Sequence, residues 1–367
     1  MTGRPNQRAP LSMERNSPHP LAGIGPVAMI AHGIFPADKM QTARVRALLA
    51  EAALQGVDLC FLRSSDCDPV SGTVRASRWR EDGWQEAVLP LPSVVVILTD
   101  PGTPEELALD GWLRASTMVL GAGKRDKLGV ASLLVGTPWE RYLIPSEPLD
   151  PGRLQRQLRA WLADGGIVVK PNDGMRGTGV QFLIPGEEGT WKMVRGDQHV
   201  HMDTEEAVAR IARSIAGRMA YRGYIVQRYI DTSDGSGRPG TIRPEVVRQP
   251  GGTWQVIRIT GRISAPGKII STISRGAALT SIEGYLAGRG ESDIPGRLRE
   301  IEALSLGIAK RLTESDTAHY YEWGFDLVAD PEGRLWFLEA NARPLNFGGE
   351  LERATHVIAY LKSLAGA

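Results

Sequence analysis

Glu322–Trp–Gly–Phe–Asp326–Leu–Val–Ala–Asp–Pro–Glu–Gly–Arg–Leu–Trp–Phe–Leu–Glu339–Ala–Asn341–Ala–Arg343–Pro344 reads as two apolar strands joined by the turn Asp330–Pro331–Glu332–Gly333. Opposing Asp330 to Leu335 sets an antiparallel register that places Asp326 across from Glu339. Strand side chains alternate faces, so Asn341 lies on the side of Glu339. Like charges opposed across a ladder destabilise it, and a carboxylate unpaired beside Leu335–Trp336–Phe337–Leu338 is costly to bury. A hard cation such as Mg²⁺ removes both penalties. The hairpin therefore predicts a metal site built from Asp326, Glu339 and Asn341. The plain alternative, an edge hairpin with a solvated charged face, fits poorly with so apolar a second strand.

The chain has 367 residues, enough for two or three domains around a substantial core. Its 43 basic and 42 acidic residues leave a formal charge of +1, which removes the electrostatic case for a nucleic-acid or membrane partner. No apolar run approaches the roughly 18–20 residues of a membrane span. Residues 1–22 lack the apolar stretch of a signal peptide and read as a disordered leader. Cys60 and Cys67 alone make neither a disulfide framework nor a metal cluster, which fits a reducing cytosol and a cytoplasmic protein.

Periodicity divides the rest into three units. Residues 23–122 alternate strand, helix and strand as a small α/β domain, with Thr103 capping a helix whose first turn carries Pro104, Glu105 and Glu106. Residues 123–230 form a central unit, with one helix expected to start at Asp150–Pro151 and another over 203–222. His199 and His201 fall in a segment that reads as a polar loop. Residues 231–367 hold antiparallel strands, a helix near 295–313 and the hairpin above.

Lys170–Pro–Asn–Asp–Gly174–Met–Arg–Gly177–Thr178–Gly179 follows one apolar strand and precedes another. Three glycines in six positions let backbone amides turn toward an anion, and Lys170 supplies a point charge for a phosphate. A Walker loop is excluded, because no Gly–Lys–Ser/Thr ending or following helix is present. A plain turn is the competing reading. Tyr224–Ile–Val–Gln227–Arg228–Tyr229–Ile230–Asp231 suits either an adenine slot or an ordinary core strand. Arg243, Arg258, Arg262 and Arg275 then cluster, as phosphoryl or carboxylate clamps or as the wet face of a sheet.

The ordered set of a lysine-bearing glycine hairpin, an adenine-type strand, an arginine cluster and an Asp–hairpin–Glu–x–Asn motif resembles the ATP-grasp superfamily, in particular its YheC/YheD-type branch. The resemblance runs from about Val27 to Glu350 and includes Lys127–Leu128, Val169–Lys170–Pro171, Gly261–Arg262, Ser274–Arg275–Gly276 and Leu338–Glu339–Ala340–Asn341. It implies an α/β and α+β fold with an amino-terminal α/β domain, a central lid and a carboxy-terminal α+β domain, ATP lying between the last two. It also implies Lys127 and Lys170 at the α- and β-phosphates, and the loop with Gly174, Gly177, Thr178 and Gly179 over them. Gln227, Arg228, Tyr229 and Ile230 would form the adenine hinge, with Asp231 at the ribose. Asp326, Glu339 and Asn341 would hold one or two Mg²⁺ (or Mn²⁺) ions, and Arg262 and Arg275 would face the γ-phosphate. Arg243 and Arg343 would meet substrate. Branch members often carry Asp where this chain has Thr241, and Pro244 follows Arg243; both bear on what Arg243 does.

The expected reaction joins a carboxylate to an amine through an acylphosphate, with an amino acid or short peptide as substrate. Metal ions and arginines would offset the repulsion between carboxylate and triphosphate while a lid excludes water. A small-molecule kinase and a non-catalytic nucleotide-binding protein are the alternatives. The sequence leaves the oligomeric state open.

Overall fold

A computed structural model describes residues 24–366 apart from 82, 122–125, 175–176, 196–197, 270–272, 274–275, 315–319 and 345–347. The expected leader, 1–22, and Arg275 lie outside the described residues. No helix among those described is long and apolar enough to cross a membrane.

The described residues form three sheets. In the first, strand Ile24–Ala31 runs parallel to Val57–Arg63 on one side and to Val94–Ile97 on the other. The crossover helix Thr42–Gln55 buries Val45, Leu48 and Ala52, and it stops at Gly56, whose φ of 70° is left-handed and costs glycine little. The second sheet runs in the order Gln198–Met202, Trp191–Arg195, Gln181–Pro185, Ile167–Pro171, Tyr224–Arg228, Ser146–Pro148. One face is covered by helices Leu154–Ala163 and Thr204–Met219, through Leu158, Ile211 and Ile215. Its other face is left for something else.

Two local expectations are corrected here. His199 and His201 stand on a strand, not in a loop, because Gln198–Met202 pairs along its length with Trp191–Arg195. The helix expected at Asp150 begins at Leu154 instead. Asp150 accepts from the Gly152 amide (2.8 Å) and from Arg153 Nε (2.7 Å), and that local turn delays the helix.

The third sheet orders Ala278–Ser281, Trp254–Ile263, Gly240–Arg248, Glu322–Ala329 and Leu335–Asn341. Its apolar face (Ile242, Val246, Phe325, Leu327, Phe337) packs on helices Ile282–Gly288 and Ile294–Glu314. Residues 127–142 join the same core through Val130, Leu134 and Tyr142. The opposite face carries Thr241, Arg243, Glu245, Arg262, Glu322 and Asp326, all buried. Strand Glu322–Ala329 is therefore buried on both sides, by hydrocarbon on one and by charge on the other.

Helix Glu350–Ala365 packs into the core of the first sheet, where Ala354, Val357, Ile358 and Leu361 meet Val27, Met29, Leu48 and Phe61. Arg44 reaches across to Glu350 Oε2 (3.0 Å) and to the Pro344 carbonyl (2.8 Å). Arg353 donates to both oxygens of Glu322, and each side chain is at most 3% exposed. Removing one partner of such a pair strands the other charge. Arg353→Met is expected to lower unfolding free energy by about 3–5 kcal/mol in urea titration, and adding Glu322→Leu should recover most of the loss.

Candidate active site

The hairpin places its acidic groups where the sequence puts them, by a different route. Ala329 pairs with Leu335, Val328 with Trp336 and Leu327 with Phe337, one step out of the expected register. A β-bulge then restores it, and Asp326 faces Glu339. Bulges re-aim side chains, commonly near functional sites. Here Leu338 and Glu339, consecutive in sequence, both line one cavity. Asn341 reaches the same spot, its Nδ2 lying 3.3 Å from Asp326 Oδ2.

That cavity lies between the free face of the second sheet and the polar face of the third. Lys127, Lys170, Gly174, Gly177, Thr178, Arg262, Asp326 and Glu339 line it, as do residues 227–230. Lys170 Nζ donates to Gln227 Oε1 at 2.7 Å, so Gln227 orients the lysine from the neighbouring strand. Burial pushes the Lys170 amine down to about 8, against the attraction of Glu339. Lys127 donates to the Gly174 carbonyl (2.6 Å) and approaches Glu339 Oε2 at 3.5 Å. The Leu128 amide donates to Asn172 Oδ1 at 3.0 Å, tying the glycine hairpin to the start of helix Lys127–Leu134. Gly177 and Gly179 hold φ of 67° and 76°, where a side chain is strained.

Five sequence-selected residues do not line the cavity. Arg343 Nη2 bonds Asp100 of the first sheet's domain at 3.0 Å. Asp231 accepts from the Ser233 amide (2.9 Å) in a local turn. Gly179 and Asn341 stand just outside. Arg243 donates from Nε and Nη2 to the two oxygens of Asp326, both at 2.8 Å. Arg228 lines the cavity, and its guanidinium donates to the Trp161 carbonyl (3.0 Å).

The apolar walls went unread in the sequence. Val168 and Phe182 come from the second sheet, Val180 from just before its strand Gln181–Pro185, and Val328 and Leu338 from the third, a slot suited to a flat ring. Val168 and Val328 are each two residues from a charged candidate, Lys170 and Asp326, so strand alternation alone would have found them. Thr241 also faces the cavity.

The residues present fit a hard divalent cation. Glu339 titrates above the usual carboxylate range, through burial first and the Asp326 charge second. The 28% of its side-chain surface left open belongs to a residue lining the cavity. Two opposed carboxylates and an amide thus form an oxygen-rich site carrying an internal repulsion that a cation relieves. Arg243 and Arg262 (Nη1 3.5 Å from Asp326 Oδ1) offset part of the Asp326 charge.

Residues 117–361 match the family described as YheC/D like ATP-grasp, and the chain belongs to that family. It is 26% identical over 292 residues to the endospore coat-associated protein YheD of Bacillus subtilis (strain 168), covering 74% of this chain and 61% of that relative. The chain thus spans less than two thirds of YheD. With YheC of the same organism it shares 22% identity over 334 residues, 86% of this chain and 89% of the relative. Among solved structures, D-cycloserine synthetase DcsG superposes with a TM-score of 0.52 at 16% identity, covering 91% of this chain and 99% of its own. That likeness carries the fold, an ATP-grasp arrangement of helices and sheets.

Replacing Arg243 with methionine removes the nearest counter-charge from the Asp326–Glu339 pair. Arg243→Met is expected to destabilise the protein by about 3–5 kcal/mol. Millimolar Mg²⁺ should raise the thermal midpoint of this variant more than that of the wild type, in differential scanning fluorimetry.

Proposed function

We propose that this chain binds ATP with a divalent cation between its second and third sheets and joins a carboxylate to an amine through an acylphosphate. One observation carries the reading. Lys127, Lys170, Asp326 and Glu339, from four separate segments, converge on one cavity with apolar walls on two sides. An apolar slot ending in two lysines and a carboxylate pair suits a flat base at one end and a metal-bound polyphosphate at the other.

In this reading the backbone of residues 227–230 meets the adenine edge, between Phe182 and Leu338. Asp231, just past it, takes the ribose. Lys170, preset by Gln227, and Lys127 contact the α- and β-phosphates, and the glycine hairpin 172–179 covers them. Asp326, Glu339 and Asn341 hold one or two Mg²⁺ ions, with Mn²⁺ an acceptable substitute. Bound there, the ion would neutralise phosphate charge and orient the terminal phosphoryl group. Arg262 and Arg275 stabilise the phosphoryl group in transfer. The carboxylate oxygen attacks the γ-phosphorus and ADP leaves; the amine then attacks the acyl carbon and phosphate leaves. Arg343, tied to Asp100, stands at the substrate side.

The test is nucleotide turnover by purified protein with Mg·ATP and a pool of amino acids and dipeptides, followed by mass spectrometry. ADP release that needs both a carboxylate and an amine is expected, with a product lighter than its two components by one water. Glu339→Ala should reduce turnover by about a hundredfold or more. A phosphorylated product without an amide would identify a kinase, and binding without turnover a non-catalytic nucleotide-binding protein.

A further inference from the structure

One face of strand Gly240–Arg248 carries four residues in order from the nucleotide cavity outward. Thr241 lines the cavity. Arg243 grips Asp326. Glu245 follows, and Val247 lies in the core shared with the first sheet. Glu245 is thus the last polar group before the apolar interface, roughly 6–7 Å beyond Arg243 along the strand.

Its surroundings do not satisfy it. Glu245 is 4% exposed, and its Oε2 meets no donor. The other buried carboxylates near it are paired: Asp326 with Arg243, Glu322 with Arg353, Glu350 with Arg44. Arg258 stands opposite Glu245 across the ladder, yet its Nη1 is spent on the Gly348 carbonyl. On the other side Glu245 pairs with Gly324, where a Cβ would come within 2.6 Å of Pro344 Cβ. Pro344 therefore lies over this row, beside Gly324. An unpaired buried carboxylate oxygen calls for an N–H donor.

We propose that Glu245 binds the ammonium group of the amine substrate and takes its proton, on the far side of Asp326 from the nucleotide. This rests on the ligase reading above. The ammonium gives one proton to the Glu245 carboxylate. The freed lone pair forms the C–N bond to the acyl carbon, and the C–O bond to phosphate breaks. The second nitrogen proton leaves with the phosphate, and Glu245 returns its own to solvent. A neutral pocket would leave the amine protonated and inert.

The charged groups facing Glu245 are Arg243 on its own strand, Arg258, Glu322 and, from the carboxy-terminal helix, Arg353. Burial dominates them and pushes its carboxyl up to about 7, a value matched to proton transfer near neutrality.

Hydroxylamine separates the two half-reactions, since it is neutral near pH 7 and needs no base to attack an acylphosphate. Wild type and Glu245→Gln would each be given Mg·ATP and the amino-acid and dipeptide pool, with and without hydroxylamine. The expected result is hydroxamate at wild-type rates from Glu245→Gln, which also reports an intact fold. Amide formation should fall about a hundredfold or more and lose its acid limb near pH 7. Glu245→Asp, keeping the carboxylate, should regain part of both. Amide at the wild-type rate from Glu245→Gln overturns the proposal, and so does an equal loss of amide and hydroxamate. Absence of hydroxamate from the wild type overturns the ligase reading itself, and this inference with it.

Discussion

Asp326 and Glu339 face each other across a hairpin that is largely closed to water, and that opposition organises the polar half of the molecule. Burial, and then the Asp326 charge, hold the Glu339 carboxyl above the usual carboxylate range. Arg243 and Arg262 offset Asp326 from one flank, and Lys127 approaches Glu339 from the other. Those three cations come from three segments, so the carboxylate pair fixes the third sheet, the start of helix Lys127–Leu134 and the glycine hairpin relative to one another. Lys170 adds a fourth positive charge that burial keeps weakly held.

The same sheet face explains why charge penetrates so deep. Its apolar side is already committed to helices, so any further layer must cover charged groups. The first sheet's domain does so with complementary pairs, Arg44 on Glu350 and Arg343 on Asp100, beside Arg353 on Glu322 within the carboxy-terminal unit. Arg343–Asp100 stays open to water, but desolvation makes the buried pairs, Arg44–Glu350 and Arg353–Glu322, poor sources of net stability and strict judges of geometry, because a partner displaced by a few ångströms leaves a bare charge. They orient the domains, while the apolar contacts of helix Glu350–Ala365 supply the cohesion.

How far the site was legible varies with the physics that encodes it. Strand alternation and a turn-rich tetrapeptide sufficed to bring Asp326, Glu339 and Asn341 together. The bulge that makes this register real is silent in the sequence, since Leu338 is as ordinary a strand residue as its neighbours. The arginine partners of Asp326 were visible only as a cluster. Which of them would take both carboxylate oxygens depends on how two strands align, and that is a tertiary fact. Glu245 was passed over because a single acid in an apolar strand resembles an edge residue until its burial is known. His199 and His201 were misplaced for the converse reason: polar side chains on an edge strand hide a backbone that pairs along its length with the next strand.

Helix Glu350–Ala365 completes the core of a sheet whose first strand begins at Ile24. Arg44 and Glu350, which seal that contact, are 306 residues apart in the chain. At roughly 5–20 residues per second of synthesis, the first sheet waits about 15–60 s for its last layer. During that interval Val27, Leu48 and Phe61 lack the neighbours that cover them in the finished protein. The amino-terminal unit is thus a late-maturing one: its apolar surface stays open to chaperones, and to other nascent chains, until helix Glu350–Ala365 has been made.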